Sequence, residues 1–327
     1  MMLRSAALRL AALFFGAAAL LAPVVASAQA YPSRPVKIVV SFSAGGTTDI
    51  LARLLAQKLT EATGQSFIVE NKPGAGGIVG NDFVAKAPAD GYTILMGSAS
   101  SLAVNVSVYK SIPYDPKKDF APLMQVASGP FVIVVNPSVP AKTIGDLIAL
   151  AKANPGTINF GTSGNGTSLH LAGELLNAMA GIKLTHVPYK GTGPAVLDTV
   201  SGQIQMTLSD MVPFVSHIAA GKLRPLAQTT LKRSRLLPDL PTVAETVPGY
   251  DATSWYGVMV PANTPAPIVG RLHTELSKIL QSDDVKQRFS QLAVDPVVNT
   301  PEEFKTFIEA ETAKWADVVK RSGAKVD

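Results

Sequence analysis

Short apolar runs alternate with glycine-rich polar stretches and amphipathic segments along most of this chain. Val36 to Phe42 is rich in Val and Ile. It gives way to Ser43-Ala44-Gly45-Gly46-Thr47-Thr48-Asp49, then to a segment in which Ile50, Leu51, Leu54 and Leu55 fall on one helical face. That order predicts strand, glycine loop and helix, with Asp49 capping the helix and Gly64 ending it. The order recurs from Phe67–Val69 through Gly74-Ala75-Gly76-Gly77 into a helix at Ile78. It begins again where Tyr92–Met96 runs into Gly97-Ser98-Ala99-Ser100-Ser101. A buried parallel sheet with crossover helices produces such an alternation.

A second series starts with FVIVVN at Phe131, followed by a helix opening at Thr143 with Asp146 placed for a capping box. Ile158–Phe160 leads through Gly161-Thr162-Ser163-Gly164-Asn165-Gly166-Thr167-Ser168 into a helix stopped by Gly181. Leu184–Pro188 leads through Tyr189-Lys190-Gly191-Thr192-Gly193 into a helix expected to carry Pro194 at its first position. Strands at Ile204–Leu208, followed by Ser209-Asp210, and at Leu223–Gln228 complete this series. The fold class is therefore α/β, with two series that change over near Ala121 to Gly129. From Leu236 the chain reads as a proline-rich stretch and then helices. Thr300-Pro301-Glu302-Glu303 is a helix start, and Phe304, Phe307, Ile308, Glu311, Trp315, Val318 and Val319 follow at helical spacing as core.

The amino-terminal stretch differs from all of this. Arg4 and Arg9 precede a nearly unbroken apolar run from Leu10 to Val25, and Ala26-Ser27-Ala28 supplies small residues where a signal peptidase cuts. Residues 1–28 read as a secretory signal, with a second cleavage site after Ala30. A run of about 16 residues interrupted by Pro23 falls short of the roughly 20 needed to span a bilayer.

Composition narrows the chemistry. Of 327 residues, 47% are hydrophobic and 16% charged, which suits a large buried core of about two domains and excludes a disordered chain. With no cysteine there is no disulfide framework, thiolate metal site or thiol nucleophile. Export without cysteine fits a bacterial periplasm, where unpaired thiols are a liability. The 29 basic and 24 acidic residues give +5, which falls to +3 once Arg4 and Arg9 are removed. Without a run of basic residues, that excess implies no nucleic-acid partner.

Enzyme motifs fail in turn. No H-E-x-x-H occurs, and His170, His186, His217 and His273 are not at metal-ligand spacing, so no metal is expected. Gly161-Thr162-Ser163-Gly164-Asn165 misses the nucleophile elbow at its last position, leaving Ser163 a weak nucleophile. The two G-x-G-x-x-G-like runs end in apolar residues and no P-loop occurs, so no cofactor is expected. What remains are glycine loops rich in Ser and Thr, each delivering into a helix N-terminus. Such a terminus attracts an anion without a formal cation. Hydroxyls of Thr47, Thr48, Ser163, Thr167, Ser168 and Thr192 add donors. Loops at the carboxyl edge of parallel strands would meet across a cleft.

The runs SFSAGGTTDILARLLAQKL, VENKPGAGGIVGNDFVAKAPADGYTILMGS, IPYDPKKDFAPL, GTSLHLAGELL, HVPYKGTGPAVLDTVSGQI, AAGKLRPLAQTT, LPDLPTVAE and SWYGVMVPANTP resemble, in order and spacing, the Bug family of extracytoplasmic solute-binding proteins of tripartite tricarboxylate transporters. The resemblance covers nearly the whole chain after the signal. It implies a two-lobed type II periplasmic-binding-protein (Venus flytrap) fold with mixed, mostly parallel sheets. Residues 31–128 plus 236–327 would form one lobe and 129–235 the other. It also implies capture of a small mono- or dicarboxylate, delivery to integral-membrane transporter subunits, a monomer and no catalysis.

The family's first ligand loop maps onto Phe42, Ser43, Ala44, Gly45, Gly46, Thr47 and Asp49, and its second-lobe loop onto Thr162, Ser163, Gly164, Asn165, Gly166, Thr167, Ser168 and His170. Tyr189, Lys190, Gly191 and Thr192 match its Y-K-G turn. Ser98, Asp210 and Trp255 complete the expected site. The family usually carries two prolines where this chain has Ser43-Ala44, which loosens the first loop and adds a hydroxyl. By residue type alone Lys190 reads as exposed or structural, and His170 as a packing or supporting residue. Trp255 and Tyr256 either wall the pocket or fill the core. A periplasmic receptor for an organic anion is the leading reading. A sensor passing ligand occupancy to a two-component kinase and a serine hydrolase on the same scaffold are the alternatives.

Overall fold

The computed structural model describes residues 31–322, so the expected signal segment and both its cleavage sites lie outside the described residues. The chain opens with β1 (Val36–Val40), α1 (Thr47–Thr63), β2 (Phe67–Asn71), a 3-10 turn at Ala75–Gly77, α2 (Ile78–Ala85) and β3 (Thr93–Ser98). A π-helical turn at Ser100–Val104 runs into α3 (Asn105–Val108), and β4 (Phe120–Val135) follows. Next come α4 (Ile144–Ala153), β5 (Asn159–Thr162), α5 (Ser168–Ala180), β6 (Thr185–Pro188), α6 (Thr192–Ser201), β7 (Met206–Asp210), α7 (Val215–Ala219) and β8 (Arg224–Gln228). The chain ends with β9 (Thr253–Pro261), α8 (Ala266–Gln281), α9 (Asp283–Gln291), β10 (Asp295–Pro296) and α10 (Pro301–Ser322).

The strands follow the path β2-β1-β3-β9-β4-β7-β5-β6, with β8 and β10 also pairing to β4. Two parallel clusters stand at the ends. β1 lies between β2 and β3, and β5 lies between β6 and β7. Helices cover β1 on both faces, which is why Val36, Ile38, Val39 and Val40 are all buried. Between the clusters run β4 and β9, antiparallel to each other and to their other neighbours. The sheet is mixed, as expected, with its parallel pairs confined to the two ends.

β4 joins the ends. Its first part, from Phe120 to Pro130, pairs with β9, and its last part, from Phe131 to Val135, pairs with β7 and β8. The stretch Ala121–Gly129, read as the change between two series, is inside this strand. Pro122 and Gly129 disguised it, and the register shifts at Pro122/Met124 and Gln125/Ala127 show how the ladder accommodates the irregular stretch. β9 was hidden in the proline-rich region by Gly257. That glycine seats Phe304 of α10, since a Cβ there would lie 2.1 Å from the Phe304 ring. Two helix starts also differ. α1 begins at Thr47 after Gly46, which leaves Asp49 in its first turn, and α6 begins at Thr192, which makes Pro194 its third residue. In both, the backbone turns helical as soon as the glycine of the loop is passed.

Other expectations hold. Thr143 and Asp146 form a reciprocal capping box, and Gly64 and Gly181 end their helices in the left-handed region. α10 buries Phe304, Ile308, Trp315 and Val318, each worth roughly 1.5–3 kcal/mol. Among the described residues no helix is long and apolar enough to cross a membrane.

Candidate functional site

Three glycine loops end in helix N-termini that face one cavity. Gly46 precedes α1, the segment ending at Thr167 precedes α5, and Gly191 precedes α6. The first residues of these helices, Thr47, Ser168 and Thr192, all line the cavity. Gly45 takes φ +83°, a conformation open to glycine but strained for other residues, and this turns the chain from β1 into α1. Gly46 allows close approach, because a Cβ on it would lie 2.6 Å from the Thr192 hydroxyl.

The cavity has an empty volume of about 430 Å3, its mouth included. Its wall is polar and almost without charge. Ser43, Thr47, Thr48, Ser98, Ser100, Ser163, Ser168, Thr192, Ser209 and Ser254 contribute hydroxyls, while Phe42, Phe131, Leu169, Trp255 and Tyr256 supply apolar surface. Among the described residues no Lys, Arg or His lines it, and Asp49 and Asp210 are its acids. The hydroxyls of Ser43 and Ser98 are buried without a partner in the protein. Buried polar atoms are nearly always satisfied, so these two mark donors kept for something that enters. The positive ends of three helix dipoles make this space favourable for negative charge.

Both ends of the sheet contribute, and they touch. The Ser43 amide donates to the Lys190 carbonyl at 3.0 Å. The Ser168 amide donates to Ser100 Oγ at 3.0 Å, and the two hydroxyls are 2.9 Å apart. The Tyr109 hydroxyl donates to the Asn165 carbonyl at 2.9 Å. These bonds close the cavity from outside.

The two acids are treated differently. Burial would raise the Asp49 carboxyl, yet hydrogen bonds from Arg53, the Gly45 amide and Asn71 outweigh it and hold the group below the usual carboxylate range. Asp49 is therefore an ionised brace for the first loop. Asp210, at the end of β7, is 1% exposed and accepts from the hydroxyls of Ser254 and Tyr256. Burial pushes its carboxyl up, and it pushes the Tyr256 phenol well above its ordinary value. Thr47 Oγ1 lies beside this pair without a well-formed hydrogen bond.

Next to the cavity, and sharing Phe42 and Ser163 with it, is a recess of about 690 Å3 lined by Gly74, Ala75, Gly76, Gly77, Tyr109, Gly164, Asn165, Pro188, Tyr189 and Lys190. Lys190 is exposed there, and the Tyr189 hydroxyl donates to Asp198 at 2.7 Å. Behind the loop that ends at Ser168, the rings of His170 and His186 stack with centroids 4.0 Å apart. His170 Nδ1 accepts the Gly166 amide at 3.1 Å and His186 Nε2 lies 2.6 Å from Thr162 Oγ1. Burial lowers both rings, His170 to about 4 and His186 to about 3, so they stay neutral supports of the loop at neutral pH.

Of the residues expected at the site, Phe42, Ser43, Gly46, Thr47, Asp49, Ser98, Ser163, Ser168, Thr192, Asp210 and Trp255 meet in the cavity wall. Gly164, Asn165, Tyr189 and Lys190 lie at the recess. Ala44, Gly45, Thr162, Gly166, Thr167 and Gly191 act from behind, shaping loops and helix starts. Trp255 fills both roles considered for it. It lines the cavity, and it also packs edge-on against Phe304 and Phe307 while its indole donates to Glu311. Tyr256 also belongs to the wall. The expected set lacked Ser100, Phe131, Ser209 and Ser254, which come from the π-helical turn and from β4, β7 and β9. The crossing of β4 and β9 carries Phe131 and Ser254 to the cavity, and only an assigned β9 would have revealed that. Among the described residues no hydrogen bond joins Ser163 to a histidine, and no group of His, Asp and Glu is placed to hold a metal.

The family described as "Tripartite tricarboxylate transporter family receptor" matches residues 51–324. Protein BugT of Bordetella pertussis is 40% identical over 316 residues, covering 96% of each chain. Among solved structures, R. palustris Rpa4515 with adipate is 40% identical with a TM-score of 0.88, covering 90% of this chain and 100% of that one. MatC (Rpa3494) from Rhodopseudomonas palustris with bound malate is 30% identical with a TM-score of 0.83, over 88% of this chain and 100% of that one.

Proposed function

The chain belongs to the tripartite tricarboxylate transporter receptor family, and from that premise we propose that it captures a small organic mono- or dicarboxylate between two lobes and hands it to integral-membrane transporter subunits. The lobes are residues 31–128 plus 236–327 and residues 129–235, hinged where β4 and β9 cross. One observation carries the reading: three helix N-termini and a ring of hydroxyls converge on a single cavity with no Lys, Arg or His in its wall. Amide groups and dipoles suffice for a carboxylate, and they leave the site weak for phosphates, which favour arginine forks. The adipate and malate bound by the two similar structures support the same ligand class. The family and these structures are binding proteins, and this chain acts by binding, as a monomer. The secretory pattern of residues 1–28 supports a periplasmic location.

Closure is the working step. Neither end of the sheet alone surrounds a ligand, so a bound acid favours the closed arrangement by its differential affinity for it. A thermal-shift panel of acetate, benzoate, succinate, malate, adipate and citrate tests the proposal. A ligand that binds only the folded protein raises Tm, by an amount that grows with concentration. At least one acid in the panel is expected to do so at millimolar concentration. A flat response to all six overturns carboxylate capture.

A further inference from the structure

An acid in the wall of an anion site needs an explanation, and Asp210 has one. Its carboxyl is 1% exposed, and its two oxygens accept from Ser254 and Tyr256 of β9. The groups around it bring no cation. From α1 come Thr47 and Asp49, and Asp49 is already paired to Arg53 at 2.9 Å. From β9 come Ser254, Trp255 and Tyr256, from β4 comes Phe131, its partner across the ladder, and from β7 comes Ser209. The remaining wall near the helix starts, Ser98, Ser168 and Thr192, carries hydroxyls only. Burial already disfavours the charged form of Asp210. A carboxylate arriving in the same cavity adds a second negative charge beside it, with no cation among the described wall residues.

Resting on the carboxylate-capture reading above, we propose that Asp210 is the acid of the site, neutral in the liganded cleft and donating a hydrogen bond to the bound anion, so that one proton is taken up with each ligand. The proton comes from solvent and returns there on release. The protonated oxygen keeps lone-pair capacity, so the bonds from Ser254 and Tyr256 persist. A neutral acid also filters ligands. It favours an acceptor opposite Asp210, whereas an ammonium group there would keep Asp210 ionised and abolish the uptake.

The sign of the pH effect follows from linkage. Where the free protein holds Asp210 ionised and the complex holds it protonated, affinity falls as pH rises, approaching tenfold per pH unit. The test is isothermal titration with the acid giving the largest thermal shift in the panel, between pH 6.5 and 8.5, in buffers of different ionisation enthalpy. Wild type is expected to show a buffer-dependent enthalpy corresponding to uptake of up to one proton, with affinity declining toward alkaline pH. Asp210→Asn supplies a neutral donor of the same shape. Whatever its affinity at pH 6.5, it should show a flat pH profile and no proton uptake. Wild-type binding without proton uptake and with a profile parallel to Asp210→Asn overturns the inference while leaving carboxylate capture intact. If no acid in the panel binds at all, the reading beneath this one has failed first.

Discussion

The closure proposed above can be blocked at one atom. Gly193, the second residue of α6, lies against the loop that follows β1, and a Cβ added to it would sit 2.3 Å from the Ala44 carbonyl oxygen. Ordinary contact is about 3.5 Å, so Gly193→Ala must hold the two sides apart by about 1 Å at that point. The oxygen belongs to the backbone and cannot swing away as the end of a flexible side chain would. Three hydrogen-bonded contacts depend on the closed spacing, at Ser43–Lys190, Ser100–Ser168 and Tyr109–Asn165. At about 0.5–1.5 kcal/mol each, their loss removes about 1.5–4.5 kcal/mol from the closed, liganded state. That corresponds to a fall in affinity of roughly tenfold to a thousandfold. The unliganded protein can open to relieve the clash, so its melting temperature should stay near that of wild type. Gly270→Ala is the control. It lies in α8 with nothing within 4 Å of its added Cβ, and it should leave affinity unchanged while gaining about 0.8–1 kcal/mol of stability from helix propensity. Calorimetric titration of the three proteins reads the difference. Wild-type affinity in Gly193→Ala would show that the contact between α6 and the first loop has no part in binding.

Two further outcomes concern the supports of the site. His170 and His186 are neutral in the fold, to about pH 4 and about pH 3, whereas unfolded histidine protonates near 6.5. The unfolded chain therefore binds more protons below pH 6.5, and stability should drop as pH falls toward 4, by up to about 1.4 kcal/mol per pH unit for each ring. Urea melts from pH 7 to pH 4 should show that slope reduced in a His170→Gln, His186→Gln double variant, and an unchanged slope refutes the assignment. Glu311 accepts the indole N–H of both Trp255 and Trp315 at 2.8 and 3.1 Å. Glu311→Ala leaves two buried donors unpartnered and should lower stability by about 2–6 kcal/mol. Denaturant melts followed by tryptophan fluorescence measure it, and a loss under 1 kcal/mol would mean that water replaces the carboxylate.

The parts of this fold visible in the sequence are those set by neighbouring residues. Thr143 with Asp146, Thr300 with Glu303 and the glycines at 64 and 181 act within one turn, and each does in three dimensions what its spacing implied. The glycine loops were legible for the same reason. The first part of β4, from Phe120 to Pro130, and β9 were not, because their stability comes from each other across more than a hundred residues. Pro122 and Gly257, each unfavourable for a strand taken alone, are tolerated at a bulge or required by Phe304, while Gly129 stays in register opposite Ser254. The same limit explains the site. Ser43 and Ser163 announced themselves in glycine loops, while Phe131 and Ser254 reach the cavity only through the crossing of those two strands.

That crossing also explains why the site has opposed sides. α1 starts after β1, in the parallel cluster at one end of the sheet, and α5 and α6 start after β5 and β6 at the other. Each end alone offers partial positive charge that water would screen. Brought together around one cavity with the wall bonds made, the same dipoles act at close quarters between protein walls and are worth more. A lysine or arginine in the wall would bind the anion in the open state too, and so would weaken the difference between states on which release to a partner depends. Placing neutral donors on both sides makes affinity a property of closure. On the proposed capture of a carboxylate, a wall without a cation among the described residues would let the acid be both held and released.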